Sequence, residues 1–233
     1  MAERPKSPRQ RAREQAIRDI KRIARRQLTT EGSSGLSLRA IARELGIVSS
    51  AVYRYVPSRD ELLTMLIEDA YNAIGDAAEK ADRDCDPADL RGRWTAIGRA
   101  IRAWAVKHPS DYALVYGSPV PGYAAPRERT IEPGTRVTAL LMRLFADHQR
   151  TSGQLPEPAH VPRALHRDFA GIRKTFGTDV ADDLLARGVL AWTALFGLVS
   201  FELFGQYVGG FADYGVHFDH QLARLADYVG LPG

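Results

Sequence analysis

The sequence predicts an all-α protein in two parts. Three observations carry this. Apolar residues recur at helical spacing through most of the chain, and capping residues and glycine stops punctuate those segments. No run shows the period-two alternation with hairpin signals that marks a strand.

The elements follow in order. Residues 1–10 are polar, carry Pro5 and Pro8 and read as a disordered basic arm. From Arg11 to about Thr30, Ile17, Ile20, Ala24 and Leu28 fall on one helix face, and "EGSSG" (31–35) stops that helix. A short helix spans Ser37 to Leu45, with Ser37 as N-cap and Ile41 and Leu45 one turn apart. Gly46 suits a left-handed C-cap. A second short helix runs from about Ser49 to Val56, where Pro57 interrupts it. Ser58 and Glu61 form a capping box for a long helix reaching about Ala81. After the acids of 82–89 a helix runs to His108, then a short helix and a Pro/Gly-rich loop fill 108–126. Helical patterns resume over about 131–151, 160–176, 178–207 and 214–229, with "TSGQLPEP" separating the first two. The expected domains are 11–57 and 58–233.

The chain of 233 residues, 45% apolar and 26% charged, suits one or two soluble globular domains. A single cysteine, Cys85, excludes an internal disulfide framework and fits a reducing cytoplasm. No apolar run follows the N-terminal charges, so no signal peptide is expected. The uncharged, proline-free stretch Gly188–Phe201 is 14 residues long, short of the roughly 20 that span a bilayer. A cytoplasmic protein without a membrane segment is therefore expected. The net charge of +4 divides into +9 on residues 1–59 and −5 on the remainder. The basic quarter either attracts a polyanion, nucleic acid or an anionic membrane surface, or is a solvated tail.

Two short helices joined at Gly46 have the form of a helix-turn-helix, whose second helix enters the major groove of DNA. Val52 and Val56 then face inward. Ser49, Ser50, Ala51, Tyr53 and Arg54 lie outward, small residues at the tip and phosphate- or guanine-binding groups behind it. The segment "LSLRAIARELGIVSSAVYRYVPSRDELL" (36–63) closely resembles the N-terminal domain of the tetracycline-repressor (TetR) family of bacterial regulators. Ser37, Ile41-Ala42, Gly46, Tyr53, Tyr55, Arg59-Asp60 and Leu62-Leu63 carry the resemblance, which covers about residues 11–63.

The resemblance implies roles by position. Ser37 caps the first short helix and approaches a phosphate. Arg39 contacts a base or a phosphate. Ser49, Ser50 and Ala51 form the base-facing tip. Tyr53, Tyr55 and Arg59 meet the DNA backbone, and Arg54 does either. Two alternatives stand: Tyr53 is a core residue with only its hydroxyl exposed, and Arg59 pairs with nearby acids. Val48 departs from the pattern, because the family often has a polar residue there, commonly serine. The basic arm tracks phosphates, enters a minor groove or merely aids electrostatically.

The resemblance also implies that the remaining residues form a helical domain that dimerises and holds a small-molecule inducer. "RGVLAWTALFGLVSFELFG" (187–205) is apolar around nearly its whole circumference, so it is buried on several sides, in a core or across a subunit contact. Leu184, Gly188, Ala191, Leu195 and Val199, with Leu222 and Leu225 of the last helix, are the expected homodimer contact; a wholly intramolecular core is the alternative. This half also resembles a TetR subgroup with a Trp-His-Gly signature. Trp192 and Gly197 are present, but Phe196 stands where histidine is expected. Trp94, Trp104, Tyr112, Tyr116, Phe145, Phe169 and Trp192 are singly core residues; as a group they are candidates to line an apolar ligand pocket.

Enzyme chemistry finds no support. His217 and His220 lack a third metal ligand of recognisable spacing, and His160, His166 and Asp168 read as a solvated face. There is no phosphate-binding glycine loop and no nucleophile elbow, and acids surround Cys85. No metal, cofactor or catalytic residue is expected. The sequence therefore points to a homodimeric repressor, released from a palindromic double-stranded operator by a small hydrophobic or aromatic inducer. A DNA-coating protein and a helical enzyme carrying a helix-turn-helix are the alternatives.

Overall fold

The computed structural model describes residues 7–151 and 160–232. Among these residues there are ten α-helices and no strand: α1 (Pro8–Glu31), α2 (Leu38–Glu44), α3 (Ser49–Tyr53), α4 (Arg59–Arg83), α5 (Leu90–Lys107), α6 (Pro109–Tyr116), α7 (Arg127–Thr151), α8 (Arg163–Phe176), α9 (Asp182–Leu203) and α10 (Tyr214–Val229). One 3-10 turn, Ser33–Gly35, follows α1.

Where ends differ from expectation, local chemistry explains them. Residues 8–10 belong to α1 instead of a disordered arm. Ser7 Oγ accepts the Gln10 N–H and the Gln10 side chain returns to the Ser7 N–H, a complete capping box with Pro8 in the first turn. Residues 1–6 of the expected arm, and most of "TSGQLPEP", lie outside the described residues. Helix α3 stops at Tyr53 instead of Val56, and the chain goes on to Pro57 as a turn in which the Tyr55 and Val56 N–H groups both reach the Val52 carbonyl at 2.9 Å. Ser58 caps α4 by accepting the Glu61 N–H at 3.0 Å, while the Glu61 carboxylate is engaged by Arg129. Helix α9 stops at Leu203, four residues early, before the left-handed Gly205 and Gly209.

The chain forms two compact units. One takes the residues up to Tyr71 together with His108–Glu132; the other takes Asn72–Lys107 and Pro133 onward. The expected domain boundary at residue 57 therefore misses two pieces of the first unit, the first half of α4 and the later segment 108–132.

In the first unit Ile20, Ile23, Ala24 and Leu28 of α1 pack with Leu38, Ile41 and Ala42 of α2, Val52 and Val56, and Leu62, Leu63 and Leu66 of α4. Val120, from the loop after α6, joins this core, and the hydroxyls of Tyr123 and Thr64 meet at 2.8 Å. Charged pairs frame it. Lys21 and Arg25 both reach Asp69, and Arg25 also reaches Asp111 of α6 at 3.1 Å. Arg129 grips Glu61 and Glu68, two turns apart on α4.

In the second unit α5, α7, α9 and α10 surround a core of Trp94, Ile97, Leu140, Leu144, Phe145, Leu184, Leu195, Phe218 and Leu222. Two glycines set close approaches: a Cβ on Gly98 would lie 2.7 Å from the Leu222 side chain, and one on Gly188 would lie 2.6 Å from the Phe145 ring. Arg93, only 8% exposed, binds Asp82 at 2.7 Å and Asp147 at 2.8 Å. His148 of α7 is fully buried, and burial holds its imidazole below the ordinary histidine range.

A depressed folded-state pKa contributes stability above the unfolded histidine value of about 6.5, and that contribution is lost as pH falls through the folded value. The native protein is therefore expected to lose stability as pH falls from about 7.5 to about 5.5. The His148→Asn variant should show a flatter profile in urea melts over the same range. An unchanged slope would remove His148 from the account.

Candidate nucleic-acid interface

The interface grows from two short helices and the turn between them. Ser37 Oγ accepts the Ala40 N–H at 3.3 Å and so caps α2 as expected. The Ser37 N–H donates in turn to Gln27 Oε1 at 3.1 Å. Gln27 is buried on the core face of α1, so it fixes the start of α2 to α1. At the other end Gly46 has φ +67°, the Ile47 N–H reaches the Ala42 carbonyl at 3.1 Å, and the Gly46 N–H reaches the Arg43 carbonyl at 3.1 Å. These two bonds make a Schellman stop.

A Cβ at Gly46 would meet nothing within 4 Å, so a substitution there is strained by backbone alone. Gly46→Ala is expected to cost about 1–2 kcal/mol, read as a lowered denaturation midpoint. A cost near zero would mean that the turn is not held as described.

Beyond the turn, Val52 and Val56 are fully buried, as their spacing predicts. Ser49, Ser50 and Arg54 are exposed, Ala51 is half-buried, and Arg39 is exposed on α2. Tyr53 is 42% exposed, so it is no core residue. Tyr55 is half-buried beside the core, with the Arg13 guanidinium 5.9 Å over its ring. Arg59 donates to the Ser33 carbonyl at 2.7 Å and lies 3.8 Å from Asp60, so it ties the start of α4 to the 3-10 turn. The structure thus gathers Arg39, Ser49, Ser50, Tyr53 and Arg54 as outward groups and gives Tyr55 and Arg59 internal partners. Gln27 and the Arg13–Tyr55 stack are absent from the sequence reading. A glutamine at a core-facing position of α1 is the signal available for the first.

The second unit separates the other expected residues. Leu184, Gly188, Ala191, Leu195, Val199 and Leu222 are buried in the chain's own core, which corrects their placement at a subunit contact. Leu225 is half-buried and lines an open apolar groove of about 360 Å³ with Ala194, Gly197, Leu198, Phe201, Tyr207 and Gln221. The uncovered side of α9 carries Leu190 and Phe201 instead, with exposed Phe204 just past its end; Trp192, two residues from Leu190, points away from that side. This is why α9 is apolar all round, and long and apolar enough by length and composition to cross a membrane.

Of the aromatics expected around a ligand, Trp94 and Phe145 pair at 6.4 Å, and Trp94 Nε1 donates to the Leu222 carbonyl at 2.9 Å. Trp104 and Phe169 are buried, whereas Trp192 is 37% exposed against Phe196. Tyr112 and Tyr116 belong to the first unit, where Tyr71 joins them edge-on. Burial raises the Tyr116 phenol's pKa, so it is a neutral donor at physiological pH. His217 is stacked on Phe211 at 3.6 Å.

The comparisons with known proteins agree with this geometry. The profile described as "Bacterial regulatory proteins, tetR family" matches residues 21–66, which span the capped turn and both short helices. That described as "Tetracyclin repressor-like, C-terminal domain" matches residues 94–225. The chain belongs to the TetR family of transcriptional regulators. The HTH-type transcriptional regulators Rv1816 of Mycobacterium tuberculosis and Mb1846 of Mycobacterium bovis are each 46% identical to it over 215 residues, 92% of either chain. The crystal structure of SCO4313 superimposes with a TM-score of 0.78 at 34% identity, covering 95% of this chain and all of that one. PfmR from Thermus thermophilus shares the fold, with a TM-score of 0.55 at 14% identity over 90% of this chain and 96% of its own. TetR-family regulators bind operator DNA and small molecules as dimers, and they are not enzymes.

Proposed function

We propose that this TetR-family regulator is a cytoplasmic homodimeric repressor, released from a two-fold-symmetric operator by a small hydrophobic or aromatic inducer. The observation that carries the DNA half is the outward set on α2 and α3. Ser49, Ser50, Ala51, Tyr53 and Arg54 form the reading face, with Ser37 and Arg39 at the flanking phosphates and bases. Tyr55 and Arg59 hold that face in place, since both have partners inside the protein. The charge of +9 on residues 1–59 supplies the phosphate attraction.

The dimer contact is assigned to the exposed apolar side of α9 and the groove beside α10, because the residues first expected there are enclosed by their own chain. The inducer reading rests on the aromatic content of both units and on the tyrosine cluster Tyr71, Tyr112 and Tyr116, whose phenols suit the polar end of an aromatic molecule. Helix α6, which carries two of these tyrosines, is tied to α1 by Arg25–Asp111 and by the Thr29 and Ser110 hydroxyls at 2.8 Å. A ligand that prefers one position of α6 would thereby bias the DNA-binding helices.

Selection of duplexes from a random pool tests this. Enrichment of a palindrome with half-sites about one helical turn apart is expected. A panel of aromatic compounds should then contain one that releases the bound duplex. Failure to enrich any sequence would favour a protein that merely coats DNA.

A further inference from the structure

The recognition helix starts without a side-chain cap. Val48 is its N-cap residue, with extended backbone (φ −66°, ψ 143°) and no cap hydrogen bond. Valine is among the poorest residues at such a position, where serine or asparagine would bond the free N–H groups. Val48 is also 70% exposed, and Ile47 beside it is 39% exposed. Two branched aliphatics therefore stand in water at the leading edge of the reading face. They do not sit on a loose loop: the Schellman stop at Gly46 fixes the backbone that carries them. A local rule broken at a well-held surface position is the mark of a functional constraint.

The rest of the tip narrows what that constraint is. Gly46 to Tyr53 contains no amide and no charged side chain. Bidentate recognition of adenine by Asn or Gln, or of guanine by Arg, is therefore not available from the tip itself. The arginines that could read guanine, Arg39, Arg43 and Arg54, lie before and after it. In the major groove one base edge is apolar, the C5 methyl group of thymine.

We infer that Val48, with Ile47 beside it, determines operator specificity by packing on thymine methyl groups in each half-site. Serine at position 48 would cap the helix better and discriminate less. This rests on the reading that α3 enters the major groove.

The test uses the full-length protein and a duplex carrying the selected operator. Each thymine of the half-site is replaced in turn by uracil, which removes the methyl and leaves the Watson–Crick pairing. One or two positions are expected at which uracil weakens binding about 3–5-fold per methyl, or about 10–25-fold when applied in both half-sites together. In Val48→Ser, checked for native helicity by circular dichroism, the thymine duplex should bind more weakly and the uracil penalty should vanish. Uracil without effect at every position would overturn the inference. So would a penalty that persists in both Val48→Ser and Ile47→Ser. Either result, with tight and selective operator binding intact, leaves the repressor reading standing. Binding that shows no sequence preference at all would overturn both.

Discussion

Replacing Phe201 by aspartate is expected to give a folded monomer that binds operator DNA at least about 100-fold more weakly than the native protein. Phe201 is 52% exposed on α9 and lines the open groove, so its loss removes little from the chain's own core. At a subunit contact the same position would be enclosed. A carboxylate buried there without a partner costs several kcal/mol, enough to separate two copies. In the proposed dimer each copy would read one half-site, and linking the two makes the second contact intramolecular, so DNA affinity falls with the monomer. Light scattering gives the mass and fluorescence anisotropy the affinity, both at one salt concentration. A variant that remains a dimer would move the contact elsewhere.

The second large effect is on stability. Arg93→Ala is expected to destabilise the protein by about 3–5 kcal/mol, the usual consequence of removing one partner from a buried ionic cluster. The Arg93 guanidinium joins α5 to Asp82 at the end of α4 and to Asp147 of α7, and donates to the Pro87 carbonyl at 3.3 Å. Without it, Asp82 loses the cation it shares with Asp147, and only Arg150 is left to pair with Asp147. For a chain of this size the melting temperature should fall by about 10 °C. Arg93→Ala combined with Asp82→Asn should recover part of the loss, because the charge left without its cation is then gone. A shift of only one or two degrees would mean that solvent reaches the cluster and screens it.

The helix-turn-helix and helix α9 differ in how far a sequence reveals them. The helix-turn-helix is legible because its determinants are local: a cap at Ser37, a stop at Gly46, and Val52 and Val56 four residues apart. The helices of the second unit are legible for the same reason, through their apolar periodicity. Which face of α9 meets the core is not, because that helix is apolar on both sides and periodicity loses its phase. Leu184 and Leu195 are enclosed, and Phe201 and Leu190 are not, only because α5, α7 and α10 pack where they do. The same holds for the segment 108–132. Arg25 and Asp111 are separated by 86 positions, and no local pattern says that they pair. Helix ends depend on single residues whose weight is small beside packing, as the early stop of α3 at Tyr53 illustrates.

This TetR-family chain is proposed to read a defined operator as a dimer. The most direct test is the affinity for a duplex carrying the selected palindrome against a scrambled duplex of equal length and composition, at about 150 mM salt. Binding to the palindrome is expected to be at least about 10³-fold tighter, with one dimer on each duplex. Equal affinity for both duplexes, falling steeply and alike as salt rises, would contradict it.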